Sequence, residues 1–331
     1  MTGIRLSLAL ASDGLSLPGG ARIAIFAPTA DTDLTALSQD LCHVITGNKP
    51  DRDYFAALGY ACNTAPEGRY GASIVCLPRA KGRARGLIAE AADVTDGPVI
   101  VDGLKTDGIE SALKGCRKQA DGVSGPISKA HGKLFWMDPA PALDDWRTGE
   151  PSEIEEGYVT APGVFSADGI DPASRALADN LPEKLGAHVI DLGAGWGYLT
   201  HRALERESIK QIDAIEADHA ALACARLNVT DPRARLHWED ALRWRPETLA
   251  DTVLMNPPFH TARKADPALG RAFIAAAAEM LKPAGQLWMV ANRHLPYEQT
   301  LAGLFADVSE VPGGDARFKL LHARRPMRKK R

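Results

Sequence analysis

Five short apolar runs separated by helix-like segments fill the second half of the chain: HVIDL (188–192), IDAIE (212–216), ARLHW (234–238), DTVLM (251–255) and QLWMVAN (286–292). Runs this short and this uniformly apolar suit strands buried on both faces. The clearest helix between them is DPALGRAFIAAAAEMLKP, where Asp266 is placed to cap and Pro267 takes the first helical position. Leu269, Phe273, Ala276 and Met280 then share a face, and Pro283 follows the end. Alternating β and α units require a parallel sheet with helices on both faces. The expected fold class is therefore α/β, and ligands of such sheets bind at the carboxyl ends of the strands.

The first half repeats the order of the second. ASIVCLPRAKGRARGLIAEA (72–91) aligns with DTVLMNPPFHTARKADPALGRAFIAAAA, and GPVIVDGLKTDGIESALKG aligns with GQLWMVANRHLPYEQTLAG. HGKLFWM near 132 echoes ARFKLLHA near 317. Kept order implies a tandem duplication, two Rossmann-like sheets in one chain. The copies are unequal, because the first copy's opening strand, ARIAIFAPTADTD (21–33), contains no glycine and its counterpart of NPPF is LPRA. The N-terminal copy is expected to be degenerate.

Residues 137–155, MDPAPALDDWRTGEPSEIE, combine three prolines with surplus carboxylates and no apolar period. That composition reads as a linker. At 331 residues the chain has length for two domains: a first over 1–140, a linker over 141–157, a second over 158–325 and a basic tail over 326–331. Six cations, Arg324, Arg325, Arg328, Lys329, Lys330 and Arg331, fall in the last eight residues, and without them the net charge of -3 becomes -9. A cationic tail on an acidic body is an electrostatic handle for a polyanion such as RNA, or else a solvated terminus. Cys42, Cys62, Cys76, Cys116 and Cys224 form no C-x-x-C pair, which fits reduced, packed thiols in the cytoplasm. The histidines show no metal-ligand spacing. No secretory leader and no apolar stretch long enough to span a bilayer is present, so neither a metal nor a membrane is expected.

VIDLGAGWGYLT (189–200) is an apolar strand, then Gly193, Gly195 and Gly197, then a helix. Glycines let the backbone turn sharply and let a ligand approach, while the helix start offers free N–H groups. A nicotinamide dinucleotide site needs Gly or Ala at 198, where this chain has Tyr198. G-x-G-x-G after Asp191 instead suits S-adenosylmethionine, whose aminoacid end carries no pyrophosphate. The next strand ends at Glu216, followed by Ala217; a carboxylate there accepts both ribose hydroxyls of an adenosine. The third ends in HWEDAL, where Asp240, followed by Ala241, is placed for the adenine amine, with Glu239 an equally acidic neighbour.

The fourth strand runs into Asn256, Pro257, Pro258 and Phe259. Prolines cannot donate to a sheet ladder, so the chain leaves the sheet there with its carbonyls held rigid by fixed φ. An exocyclic amine on a base needs two acceptors to aim its nitrogen at a sulfonium methyl, and the Asn256 side-chain oxygen and the Pro257 carbonyl supply them. Phe259 is placed to stack on the base.

PGVFSADGIDPASRAL (162–177), DLGAGWG, NPPFH, VANRHLPY (290–297) and RFKLLHA together resemble the tandem-domain bacterial ribosomal RNA guanine-N2 methyltransferases. The likeness is close over 160–325 and loose before it. It implies two tandem class I methyltransferase domains, with cofactor binding lost from the first. It also implies that Phe165 and the stretch Asp168 to Asp171 close over the cofactor. Gly193, Ala194, Gly195, Gly197, Glu216 and Asp240 then line the pocket, and Asn256 to Phe259 hold guanine. Ala194 stands where the family usually has cysteine, and Trp196 is unusual in such a loop; both positions are expected to act through backbone. VANRHL leans toward the large-subunit relative, HLPY and PGVFS toward the small-subunit (16S) enzyme, which is favoured.

The substrate expected is ribosomal RNA or a ribosomal subunit, met by a monomer, with the base flipped or unpaired. Arg79, Lys81, Arg83 and Arg85 fall where the first copy's catalytic loop was lost, and are expected with Arg324 and Arg325 to bind phosphates, a solvated loop being the other reading. Three alternatives stand beside this one. An amine methyltransferase acting on adenine-N6 or protein glutamine shares N-P-P-[FY]; Phe259 and FSADGIDPASR lean away from it. A nicotinamide oxidoreductase lacks its third glycine, and a non-catalytic RNA-binding protein suits the first half only.

Overall fold

The computed structural model describes residues 2–327 apart from 13, 140, 259, 262, 263 and 266. The Asp266 cap, Phe259 and the tail from Arg328 onward lie outside the described residues. Internal contacts divide the chain into one unit over Met1–Glu150 and another over Pro151–Arg331.

The first unit comprises α1 (Thr2–Ala11), β1 (Ile23–Phe26), β2 (Cys42–Ile45), α2 (Lys49–Ala57), β3 (Ala61–Asn63), β4 (Ala72–Cys76), α3 (Lys81–Val94), β5 (Val99–Leu104), α4 (Ile109–Gln119), β6 (Ser124–Lys129) and β7 (Gly132–Met137). Its strands lie in the order β3-β2-β1-β4-β5-β7-β6, parallel as far as β5 and antiparallel at β7 and β6. In the second unit the small antiparallel ribbon β8 (Ser152–Glu153) and β9 (Val159–Thr160) leads into α5 (Pro172–Asp179), β10 (His188–Leu192), α6 (Tyr198–Ala203), β11 (Gln211–Glu216), α7 (His219–Asn228) and β12 (Ala234–Trp238). There follow β13 (Ala250–Met255), β14 (His260–Thr261), β15 (Lys264–Ala265), α8 (Pro267–Met280), β16 (Leu281–Asn292), α9 (Glu298–Ala302), β17 (Phe305–Val311) and β18 (Phe318–Pro326). The large sheet runs β12-β11-β10-β13-β16-β18-β17, which repeats the first unit's order position for position.

Both faces of the second sheet are covered, which explains its unbroken apolar runs. Val189, Ile212, Leu254 and Val290 pack with Leu177, Leu199 and Cys224 of α5, α6 and α7. Their neighbours Ile190, Val253 and Met289 point the other way, onto Phe273, Ile274 and Met280 of α8. Each such side chain contributes about 1.5–3 kcal/mol on burial. Helix starts are fixed by carboxylates: Asp171 accepts from the Ser174 N–H (2.8 Å) with Pro172 leading α5, and Asp218 accepts from the Ala220 N–H (2.9 Å) at α7.

The stretch read as a linker is partly core. Leu143 and Trp146 are buried with the first unit's apolar cluster, the Arg85 guanidinium lies 5.0 Å from the Trp146 ring, and Arg147 bridges Asp93 at 2.8 Å. Its prolines and carboxylates masked an indole too large to leave in water. Later, Ile154 N–H donates to the Tyr158 carbonyl (2.7 Å), so the second half of the stretch folds with the second unit.

Asp213 on β11 sits between two histidines of neighbouring strands, His188 and His237, each with Nε2 at 2.7 Å, and accepts from Gln211 Nε2 as well. Burial alone raises such a carboxyl, but the bonds from His188, His237 and Gln211 outweigh it and hold Asp213 below the usual carboxylate range. A depressed folded-state pKa contributes stability that is present above the unfolded value of about 4 and is lost as pH falls below it. Asp213→Asn is expected to destabilise the protein by about 2 kcal/mol at neutral pH. Denaturant titrations should show that gap closing as pH falls below about 4; a gap unchanged with pH would refute the assignment.

Candidate active site

The sheet order reverses between β10 and β13, and the crevice at such a switch point is where open parallel sheets bind ligands. Asp191 pairs with Leu254 across that pair of strands, so the turn after β10 lies beside Asn256. Gly193, Gly195 and Gly197 all have positive φ (84°, 58° and 93°), a region open to glycine at little cost. Their tasks differ. A Cβ on Gly197 would meet Val229 Cγ2 at 2.8 Å and Ala225 at 3.3 Å, so this glycine lets α6 close on α7. A Cβ on Gly195 would meet nothing within 4 Å, so this one faces open space. Ala194 is buried and donates its N–H to the Ile215 carbonyl, as Gly193 does.

Glu216 locks the turn to the next strand. Its Oε2 accepts the Gly195 N–H (2.8 Å) and its Oε1 the Asp218 N–H (2.7 Å), while burial raises its pKa against the pull of those donors. Each oxygen keeps a lone pair. Asp191 is fully buried; its Oδ2 accepts from the Thr200 hydroxyl (2.7 Å), and its Oδ1 has no hydrogen-bond partner among the described residues. Burial pushes its carboxyl up to about 7, helped by the nearby charge of Glu216 and opposed by Thr200. A buried acceptor left unpaired costs about 1–3 kcal/mol, so this oxygen is set for a donor or a cation from outside the protein.

Farther out, the Ala217 carbonyl accepts from Trp238 Nε1 (2.9 Å). Asp240 accepts the Leu242 N–H (2.9 Å), and Ala241 is buried in the α8-side core. Asn256 Nδ2 donates to Asp171 Oδ2 and to Ser174 Oγ, each at 2.9 Å, which leaves Oδ1 without a partner among the described residues. Pro257 is buried and Pro258 exposed.

Phe165 is 55% exposed, and Asp168 is also exposed. The segment carrying them is tied to the glycine turn by two side chains. Trp196 Nε1 donates to the Phe165 carbonyl (3.0 Å), and Asn228 bridges Val159 and Trp196, donating to both carbonyls (2.8 Å each) and accepting the Val159 N–H (2.7 Å). The expectation that Trp196 acts through backbone is thus corrected: its indole is buried, 5.2 Å from the Tyr158 ring and 5.8 Å from that of Tyr198. Sequence reading also missed the contacts of Asp171, Ser174 and Asn228. D-P-A-S carries a helix-start signal for the first two, whereas nothing in the sequence marks Asn228.

Of the basic residues, Arg79 lies in a loop, but Lys81, Arg83 and Arg85 open α3 and are helical, where a loop was expected. Arg79, Lys81 and Arg85 line a cavity of about 110 Å3 together with Gly108 and Ser111 of the α4 start. Neither Arg79 nor Lys81 pairs with a carboxylate among the described residues. Arg324 and Arg325 do not join the site: β18 pairs Phe318 with Asn292 but Arg324 with Gln286, which sets both arginines toward the amino ends of the parallel strands, beside Asp307 at 3.9 and 2.8 Å. All five cysteines are free, and no group of His, Cys, Asp and Glu able to hold a metal occurs among the described residues.

The family model of the methyltransferase small domain matches residues 156–322. A ribosomal RNA small subunit methyltransferase C of Shewanella sp. (strain MR-4) is 31% identical over 267 residues, 77% of this chain and 77% of the relative. A ribosomal RNA large subunit methyltransferase G of Aeromonas salmonicida (strain A449) is 36% identical over 166 residues, 48% of this chain and 44% of the relative. Among solved structures, the T. thermophilus 16S rRNA N2 methyltransferase in complex with AdoMet and guanosine superposes with a TM-score of 0.77 at 22% identity, covering 94% of this chain and 90% of that one. The fold is therefore that of tandem class I methyltransferase domains.

The two glycines make separable predictions. Gly197→Ala is expected to lower stability by about 2–5 kcal/mol, since a left-handed backbone conformation costs about 1–2 kcal/mol and overpacking about 1–3 kcal/mol. Gly195→Ala carries only the backbone cost of about 1–2 kcal/mol. Calorimetry that ranks the two variants equally, or in reverse, would contradict the packing role of Gly197.

Proposed function

Because the chain belongs to the methyltransferase small domain family, we propose that it transfers the methyl group of S-adenosylmethionine to the exocyclic N2 amine of a guanine in ribosomal RNA. The observation that carries this reading is the Asn256 amide, whose donors are occupied by Asp171 and Ser174 and whose oxygen is left for a substrate amine beside the glycine turn. The 16S molecule is favoured, since likeness to the small-subunit enzyme runs through 77% of the chain and likeness to the large-subunit one through 48%.

The residues present fit the cofactor. Asp191 offers its unpartnered buried oxygen to the ammonium of the aminoacid end, Glu216 has a free lone pair on each oxygen for the ribose hydroxyls, and Gly195 leaves open the space a side chain would fill. Ala194, Gly193, Ala217, Asp240 and Ala241 complete the surrounding wall, with Phe165 and Asp168 on the segment above. Once bound, S-adenosylmethionine supplies a methyl carbon on a sulfonium, an electrophile with a neutral thioether as leaving group. Asn256 Oδ1 and the Pro257 carbonyl accept the two N–H bonds of the guanine amine and so direct nitrogen density at that carbon. Stacking on the base is the role assigned to Phe259, which lies outside the described residues. As the N–C bond forms, the C–S pair passes to sulfur and the surplus proton leaves to water. No strong base is required.

In this reading the second unit, with its core at 158–325, is catalytic and the first is an RNA-binding scaffold. β1 is wholly apolar and has no glycine turn after it, while Arg79, Lys81 and Arg85 line a cavity of about 110 Å3 that Asp107 also lines, three cations against one carboxylate. The protein acts on ribosomal RNA or a ribosomal subunit as a cytoplasmic monomer. No described helix is long and apolar enough to cross a membrane.

Tritiated S-adenosylmethionine incubated with protein-free ribosomal RNA and with small subunits, followed by nucleoside analysis, should place label in N2-methylguanosine. Label in N6-methyladenosine or protein, or none, would reject the proposal. Asn256→Ala is expected to keep cofactor affinity within about twofold while losing roughly 100-fold in turnover, as when a single preorganised polar contact to the reacting group is removed. Replacing Arg79, Lys81, Arg83 and Arg85 by Ala should weaken RNA binding and flatten its salt dependence, by roughly 0.7 in log-log slope for each phosphate no longer neutralised. An unchanged slope would end the phosphate-binding assignment.

A further inference from the structure

A side-chain amide is two-faced: its oxygen accepts, its nitrogen donates, and a half-turn exchanges them. Which face meets a substrate depends on what grips the other. At Asn256 the grip is on nitrogen, through Asp171 Oδ2 and Ser174 Oγ at 2.9 Å each. We infer that Asp171 and Ser174 are specificity-determining positioning residues, which fix the Asn256 amide so that the site accepts a hydrogen-bond donor, an amine, and rejects a carbonyl. This rests on the methyl-transfer reading above and adds what enforces it.

The two partners are not equivalent. Ser174 Oγ is able to accept or donate, so alone it tolerates either orientation of the amide. Asp171 Oδ2 is already accepting the Ser174 N–H at 2.8 Å, and a flipped Asn256 would bring a second oxygen against it. Asp171 therefore decides the orientation and Ser174 supports it. The pair is rigidly held, since Asp171 caps α5, Pro172 follows it, and Ala173, Ser174, Leu177 and Ala178 of that helix are buried. With Asn256 Oδ1 committed toward the crevice, a base edge bearing a carbonyl would set oxygen against oxygen. A base edge bearing an amine is matched.

A cap residue and an amide anchor are separable by substitution. Asp171→Ser keeps a capping oxygen for the Ser174 N–H but is too short to reach Asn256. Asp171→Asn retains an oxygen able to accept from both donors. With wild-type enzyme and guanine-containing RNA as reference, Asp171→Ser is expected to lower kcat about tenfold or more with cofactor Kd within about twofold. Competition between guanosine- and inosine-containing RNA, which differ by the 2-amine, should lose its preference for guanosine in the same variant. Asp171→Asn should recover most of the missing turnover and preference. The inference is overturned if Asp171→Ser keeps kcat and the guanosine preference, or if kcat falls only in step with Tm and cofactor affinity, which marks a helix cap alone. Wild-type transfer to a different amine rejects the guanine reading and leaves the amide anchor to be judged by kcat on that amine; no transfer to any amine rejects both.

Discussion

The grip of the Glu216 carboxylate on two backbone N–H groups is the interaction on which the rest of the second unit's site depends. It joins the turn after β10 to the end of β11, fixing Gly195 at a positive φ and setting the buried Asp191 carboxyl close to a second negative charge. Two carboxyl groups at the mouth of adjacent strands are costly without compensation. Here the turn's own N–H donors offset part of that cost, and what remains is concentrated on one oxygen of Asp191. The site is thus arranged around an unmet electrostatic demand.

The two units share a strand order but not this arrangement. In the first, β1 is a run of four buried apolar residues and Ala27 takes the left-handed turn that follows, with φ of 49°. The fold survives because sheet and helices bury the same kind of surface in both copies. The glycines after β10 and the carboxylate at the end of β11, which contribute little to packing, have no counterpart after β1 and at the end of β2. What the first unit has instead at the end of β4 is exposed cationic charge leading into a helix start, a change that alters electrostatics and leaves the core alone.

Much of the architecture was legible in the sequence because parallel strands buried on both faces leave a signal of local composition. β10 and β12 coincide with the apolar runs that announced them, and the repeat was visible because chain order is kept. Edge strands were not visible: β6 reads SGPISK and is mostly exposed, so no apolar period marks it. β16 begins at Leu281, earlier than its apolar run, because Leu281 pairs with Ala250 before a register shift. At the site, Gly193 to Gly197, Glu216 and Asn256 were legible as strand-end positions. The partners of Asn256 were not, since they lie 85 and 82 residues earlier in the chain and act by tertiary contact. Trp146 and Trp196 misled for a related reason: a large indole in a polar stretch says that something is buried without saying against what.

Asn228 spans from the end of α7 to both Val159 and Trp196, so one planar group belongs at once to the segment bearing Phe165 and to the loop that faces the crevice. Ordering either segment therefore biases the other. By thermodynamic reciprocity, whatever factor a ligand on the loop gains from a settled segment, a partner docking on that segment gains from the loaded loop.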